Sequence, residues 1–143
     1  MINIKQVKKG DLLKLIEIEK DILDYPASIK DFENYFKEDT IKFWKISTQK
    51  IIGFIILYHV RDEIEIIKIA IMKSCQRNNY GSLIFNKIKK LKNIRKIFLE
   101  VSVENTQAIN FYLKNGFKKV GIRKAYYKVN MQRIDALRLL FEF

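Results

Sequence analysis

The stretch Leu99-Glu100-Val101-Ser102-Val103-Glu104-Asn105-Thr106-Gln107-Ala108-Ile109-Asn110-Phe111-Tyr112-Leu113-Lys114-Asn115-Gly116-Phe117 decides the reading of this chain. Ile97 to Val101 is a short apolar run of the kind that forms a buried strand. Asn105 is a strong helix cap, so a helix is predicted from Asn105 to Asn115. Gly116 stands where the chain must take a left-handed conformation to leave that helix. The result sets a carboxylate, Glu100, at a strand end and a phenol, Tyr112, in mid-helix. Both can face one cleft.

Upstream, Gln76-Arg77-Asn78-Asn79-Tyr80-Gly81-Ser82 sits where a strand hands over to a helix. A helix N-terminus presents unpaired N–H groups and a partial positive charge, so a pyrophosphate fits there. The loop before it needs residues tolerant of φ > 0. Gly81 is one, and Asn79 is a second, because Asn visits the left-handed region more readily than most residues. Arg77 adds a point charge. A phosphate cradle followed by a candidate base and a candidate acid suggests acyl transfer from a phosphorylated carrier. Each residue also has a plain reading. The loop can be an ordinary turn, Glu100 a solvated charge and Asn105 a cap. Tyr112, on a stripe with Ala108, Ile109 and Leu113, can be a core residue.

Outward from these segments the pattern is continuous. Ile2 to Val7 alternates as a strand. Gly10-Asp11 starts a helix carrying Leu12, Leu13, Leu15, Ile16 and Ile18. Tyr25-Pro26-Ala27-Ser28 breaks it, and Ser28 caps a short second helix with Ile29, Phe32, Tyr35 and Phe36. Ile41 to Ser47, Ile51 to Val60 and Glu63 to Ile71 form a meander of strands. Tyr80 to Leu91 is a helix with Leu83, Ile84, Ile88 and Leu91 on its apolar face. Lys118 to Tyr127 and Arg133 to Phe143 close the chain as strands. The order βααβββαβαββ describes an α/β fold, a mixed sheet with helices on both faces.

The bulk composition bounds the class. The 143 residues are sized for one domain, spanning 1–143, with no linker or repeat. No apolar run approaches the roughly 20 residues that span a bilayer, and the N-terminus lacks a signal peptide's apolar block, so a cytoplasmic protein is expected. One Cys (Cys75) and one His (His59) exclude a disulfide framework and argue against a metal site. They also argue against thiol catalysis, because His59 is remote in sequence from Cys75. The net charge of +12 favours anionic partners: nucleic acid, a membrane surface or a phosphorylated cofactor. Lysine-, isoleucine- and asparagine-rich composition of the AT-rich kind accounts for the same excess, since the lysines scatter over every element. Lys87, Lys89, Lys90 and Lys92 read as a solvated helix face. Tyr126-Tyr127 closes a strand before a polar loop, lining an acceptor groove or buried at an edge.

Taken together, these residues resemble the GNAT superfamily of N-acetyltransferases, and within it the RimI-type ribosomal-protein-alanine N-acetyltransferases. The resemblance runs through Asp62-Glu63, Ile69-Ala70-Ile71, the Gln76 to Ser82 loop, and Leu99-Glu100-Val101 to Gly116-Phe117. It continues in Val120-Gly121, in Arg123-Lys124-Ala125-Tyr126-Tyr127 and in Asp135-Ala136-Leu137. It implies acetyl-CoA as cosubstrate, with no metal. Backbone groups of Ile69, Ala70 and Ile71 would hold the pantetheine arm and polarise the thioester. Arg77, Asn78, Asn79, Tyr80, Gly81 and Ser82 would bind the pyrophosphate, and Asn105 would contact the cofactor. Glu100 would be the general base and Tyr112 the general acid.

The implied acceptor is the N-terminal α-amine of a protein, a ribosomal protein in the first instance, with neither membrane nor nucleic acid as substrate. Two positions depart from the family pattern: Asn79 replaces the first loop glycine, and Ala27 replaces the tryptophan of Pro-Trp-Ser. Two other readings stand beside this one. The same chemistry can act on a lysine or a small amine, and a basic module can bind ribosomal RNA without catalysis.

Overall fold

The structure is a computed structural model that describes residues 2–22, 27–76, 78–129 and 131–143. Its strands are β1 (Asn3–Gln6), β2 (Ile41–Ser47), β3 (Ile51–Val60), β4 (Glu63–Ile71), β5 (Lys96–Ser102), β6 (Lys118–Val129) and β7 (Gln132–Glu142). Its helices are α1 (Leu12–Ile22), α2 (Ile29–Tyr35), α3 (Tyr80–Lys89) and α4 (Thr106–Lys114). The order of elements is the one expected. The seven strands form a mixed sheet in the order β1-β2-β3-β4-β5-β7-β6, with β4 and β5 parallel. Among the described residues no helix is long and apolar enough to cross a membrane.

The chain divides into two compact units, Met1–His59 with Ile67–Lys92, and Val60–Ile66 with Asn93–Phe143. In the first, Phe32 of α2 meets Phe43 of β2 and Phe54 of β3, with ring centroids 5.7 and 5.5 Å apart. Val7, Leu12, Leu15, Ile18, Ile56 and Ala70 complete that core. Side chains alternate along a strand, so Trp44 points to the face opposite Phe43. Lys87 of α3 reaches that face, with Nζ 5.6 Å from the Trp44 ring and donating to the Ile4 carbonyl at 3.1 Å. Helices therefore cover both faces here, and Lys87 is more than a solvated charge.

Local chemistry explains the boundaries. The Ser28 hydroxyl accepts from the Asp31 N–H while Asp31 accepts from the Ser28 N–H, a capping box worth about 1 kcal/mol. The predicted breaker residues Tyr25 and Pro26 lie outside the described residues. A 3₁₀ turn, Lys9–Asp11, precedes α1, where the sequence suggested a direct start. The apolar stripes need correction. Leu13 is 72% and Leu83 44% exposed, while Phe85 joins Ile84 and Ile88 in the buried face of α3, which ends at Lys89, before Leu91. The first strand is shorter than Ile2 to Val7. The last hairpin is longer at its turn: β6 runs past Tyr126-Tyr127 to Val129 and pairs directly with Gln132.

Candidate active site

In the second unit, β5 buries Ile97, Leu99 and Val101 and turns Phe98 and Glu100 to the other face. The strand continues to Ser102, so Glu100 lies inside it and not at its end. Its side chain is 10% exposed. Oε1 takes two guanidinium groups, Arg123 Nη2 at 3.0 Å and Arg138 Nη1 at 3.1 Å. Oε2 is buried and, among the described residues, has no hydrogen-bond partner. The plain reading of Glu100 as a solvated charge is therefore wrong for this fold.

Arg138 stands opposite Glu100 across the β5–β7 ladder, which is why the two meet. It also donates to Glu65 of β4 at 3.0 Å and stacks on Phe98 at 4.6 Å. The hydrogen bond that it donates to Glu65 chiefly raises its already high pKa, so it is a permanent cation. Neither arginine was named as a site residue from sequence. Their place follows from the strand register, which a single sequence does not print.

Tyr112 is oriented by the way α4 ends. The Phe117 N–H donates to the Tyr112 carbonyl and the Gly116 N–H to that of Leu113, with Gly116 at φ +98°. This is a Schellman stop, and its usual apolar contact is here Phe117 against Tyr112, centroids 5.3 Å apart. No residue of α4 is fully buried, and Leu113 is 36% exposed, so the predicted core stripe is a half-covered face. Burial first, and Tyr127 second, push the Tyr112 phenol up to about 12. Burial, then Tyr126 and Glu100, raise Tyr127 likewise. Tyr127 donates a long hydrogen bond, 3.4 Å, to the Glu100 carbonyl. Tyr127 thus interacts with both Glu100 and Tyr112. Asn105 caps α4, its Oδ1 accepting from the Ala108 N–H.

In the first unit, of the two positions before α3 expected to tolerate φ > 0, Asn79 takes the left-handed conformation, whereas Gly81 lies inside the helix and does not. Asn79 lies at φ 61°, ψ 16°, left-handed, and passes directly into Tyr80, the first residue of α3, followed by Gly81 and Ser82. Asn78 Nδ2 donates to the Cys75 carbonyl and Gln76 Nε2 to the Ile71 carbonyl, folding the loop onto the end of β4. Arg77 lies outside the described residues. Gly53 of β3 lies so close to Ala70 and Ile71 that a Cβ there would overlap the Ala70 carbonyl and stand 2.7 Å from Ile71 Cδ1. The backbone of Ala70 and Ile71 thereby lies close against β3.

The acetyltransferase (GNAT) family model matches residues 12–117, spanning the loop, Glu100 and Tyr112. The chain belongs to this family. It is an acetyl-CoA-dependent N-acetyltransferase. It is 35% identical to the [ribosomal protein bS18]-alanine N-acetyltransferase of Haemophilus influenzae over 87% of this chain and 86% of that one. It is 30% identical to the Escherichia coli K12 protein of the same name, over 96% and 95%. The crystal structure of the Escherichia coli ribosomal-protein-S18-alanine N-acetyltransferase superposes with a TM-score of 0.90, at 27% identity, over 99% of this chain and 94% of that one.

Proposed function

We propose that residues 1–143 form one acetyltransferase domain that moves the acetyl group of acetyl-CoA to the N-terminal α-amine of a ribosomal protein whose first residue is alanine. The names of its relatives support the acceptor, and a ribosomal acceptor makes the site of action the cytoplasm. The observation that carries the chemistry is Glu100 Oε2, a buried carboxylate oxygen left without a partner among the described residues while Oε1 is fixed by two arginines. A buried acceptor atom in that condition is costly unless a ligand completes it.

The roles follow from the chemistry. An α-amine has a pKa of about 7.7–8.0, so a carboxylate acting directly or through one water suffices to free it. Glu100 Oε2 takes that proton as the nitrogen attacks the thioester carbon. Backbone groups of Ile69, Ala70 and Ile71 hold the pantetheine arm and polarise the carbonyl. Arg77 and Asn78 to Ser82 take the pyrophosphate, with Asn105 contacting the cofactor. Tyr112 is held neutral. A thiol with a pKa near 8.5 is a stronger acid than this phenol, so full transfer to the thiolate is uphill by roughly 5 kcal/mol. The phenol therefore acts by donating a hydrogen bond to sulfur as negative charge develops there.

Intact-mass analysis of ribosomal proteins incubated with acetyl-CoA, with and without the enzyme, tests the reading. One protein with N-terminal alanine should gain a single acetyl group on its α-amine. Acetylation confined to lysine side chains would overturn the assigned acceptor.

A further inference from the structure

The β6–β7 ladder is interrupted beside Glu100. Arg123 pairs with Ala136 and Tyr127 with Ile134, so Lys124, Ala125 and Tyr126 together face Asp135 alone. Ala125, at the centre of this bulge, takes φ 54°. That is a left-handed conformation an alanine adopts only when its surroundings impose it. Its N–H donates to Asp135 Oδ1 at 2.8 Å. The Asp135 backbone carbonyl accepts in turn from the Val103 N–H at 3.0 Å, just past the end of β5. One residue of β7 thus clamps the bulge and ties the exit of the strand that carries Glu100.

The bulge has a consequence for Glu100. In an unbroken ladder, Tyr127 would stand two residues further along β7, about 7 Å away. The bulge takes up those two residues without changing side-chain parity. It lets Arg123 bond Glu100 Oε1 at 3.0 Å while Tyr127 reaches the Glu100 carbonyl at 3.4 Å. Arg123 also stacks on Tyr126, within the bulge, at 4.8 Å.

We infer that Asp135 is a positioning residue for acetyl transfer: its carboxylate holds the left-handed Ala125 bulge that sets Arg123 and Tyr127 on Glu100. The inference rests on Glu100 being the base.

Steady-state kinetics of the full chain with an N-terminal-alanine peptide, with calorimetric titration of acetyl-CoA, tests it. Asp135→Ala should lower kcat by about 10-fold or more, the scale of a misplaced catalytic group. Its acetyl-CoA affinity should stay within about 2-fold. Asp135→Asn keeps an oxygen acceptor for Ala125 and should stay within about 3-fold of wild type. Adding Ala125→Gly to Asp135→Ala should recover about 3-fold or more, because glycine takes the left-handed conformation unaided.

Wild-type kcat in Asp135→Ala overturns the inference. So does a parallel loss of acetyl-CoA affinity with no recovery from Ala125→Gly, which marks a merely structural role. Should Asp135→Ala not fold, a loss of about 10-fold in Asp135→Asn is equally fatal. Glu100→Gln, run alongside, separates the two layers. A slow Glu100→Gln with a full-rate Asp135→Ala sinks the positioning role alone. A Glu100→Gln at the wild-type rate sinks the base reading and the positioning role with it.

Discussion

Two antiparallel strand pairs of this protein do opposite jobs. β2 and β3 pair from Ile41–Tyr58 to Ser47–Ile51 with one irregularity, next to their turn, and several of their side chains close an apolar core. β6 and β7 pair over a comparable length with two register shifts, one of them a bulge around a left-handed alanine. The regular pair aims side chains where period-two alternation sends them. The irregular pair keeps that alternation but brings Arg123 and Tyr127 closer together along the partner strand than an unbroken ladder would. Regularity here marks packing, and irregularity marks the site.

Two glutamates, Glu19 and Glu100, repeat the contrast. Glu19 of α1 is fully buried, and both of its oxygens are engaged, one by Lys68 and one by the Ala27 N–H at 2.5 Å. Glu100 is nearly as buried but, among the described residues, keeps Oε2 unpartnered. A carboxylate with both oxygens engaged holds structure. One with an oxygen to spare, next to Tyr127, is arranged for chemistry.

The sharpest break of the comparison is in the packing region. Phe32 has no exposed surface and touches Tyr35, Phe43 and Phe54. Phe32→Ala should cost about 3–5 kcal/mol in denaturant unfolding. Per folded molecule, its turnover at low temperature should remain that of wild type. A catalytic defect in the folded fraction would show that the β2–β3 core also tunes the site.

Next in size is the converse substitution. Tyr112→Phe keeps the ring against Phe117 and removes only the hydroxyl. Turnover should fall roughly 10²-fold, equivalent to about 2.7 kcal/mol of barrier, with acetyl-CoA affinity and melting temperature nearly unchanged. Unimpaired turnover would return Tyr112 to plain packing.

The boundaries of β2, β3 and β4 were legible because apolar, β-branched runs and turn residues point to one answer. The caps at Ser28 and Asn105 and the stop at Gly116 were legible because each has a local chemical cause. Glu100, Tyr112 and the Asn79 turn could be nominated from motif and neighbourhood. Arg138, Arg123 and Asp135 could not be placed. Their roles depend on which residue of one strand faces which residue of another, and a two-residue bulge leaves no trace in hydrophobic periodicity. Leu83 and Phe85 were exchanged because a helical stripe read from sequence is uncertain by one residue at its edges.

Alkaline titration gives a third, somewhat smaller test. The folded-state pKa of Tyr112 lies above its unfolded value of about 10. Its neutral form therefore stabilises the fold fully below pH ~10, and that contribution is lost as pH rises through about 12. The loss is of order 2 kcal/mol. Tyr112→Phe lacks the ionisation. Wild type should lose about that much more stability than Tyr112→Phe between pH 10 and 12. Parallel stability curves would mean that water reaches the phenol freely.

The smallest effect concerns another left-handed residue, in the region that was legible. Asn79 replaces a glycine of the family pattern and adopts the left-handed conformation that such a glycine would take. Asn79→Gly removes the mild strain of a left-handed Asn but adds freedom to the unfolded chain, so stability should change by no more than about 0.5 kcal/mol. Asn79→Val forces a β-branched residue into that conformation and should cost about 1–2 kcal/mol. The same turn feeds the start of α3, so the thermal shift given by saturating acetyl-CoA should persist in the glycine variant and shrink in the valine variant. Equal shifts in both would mean that the loop can move away from its left-handed turn and still bind. Tolerance of strain would then separate the two regions: dispensable at Asn79, required at Ala125.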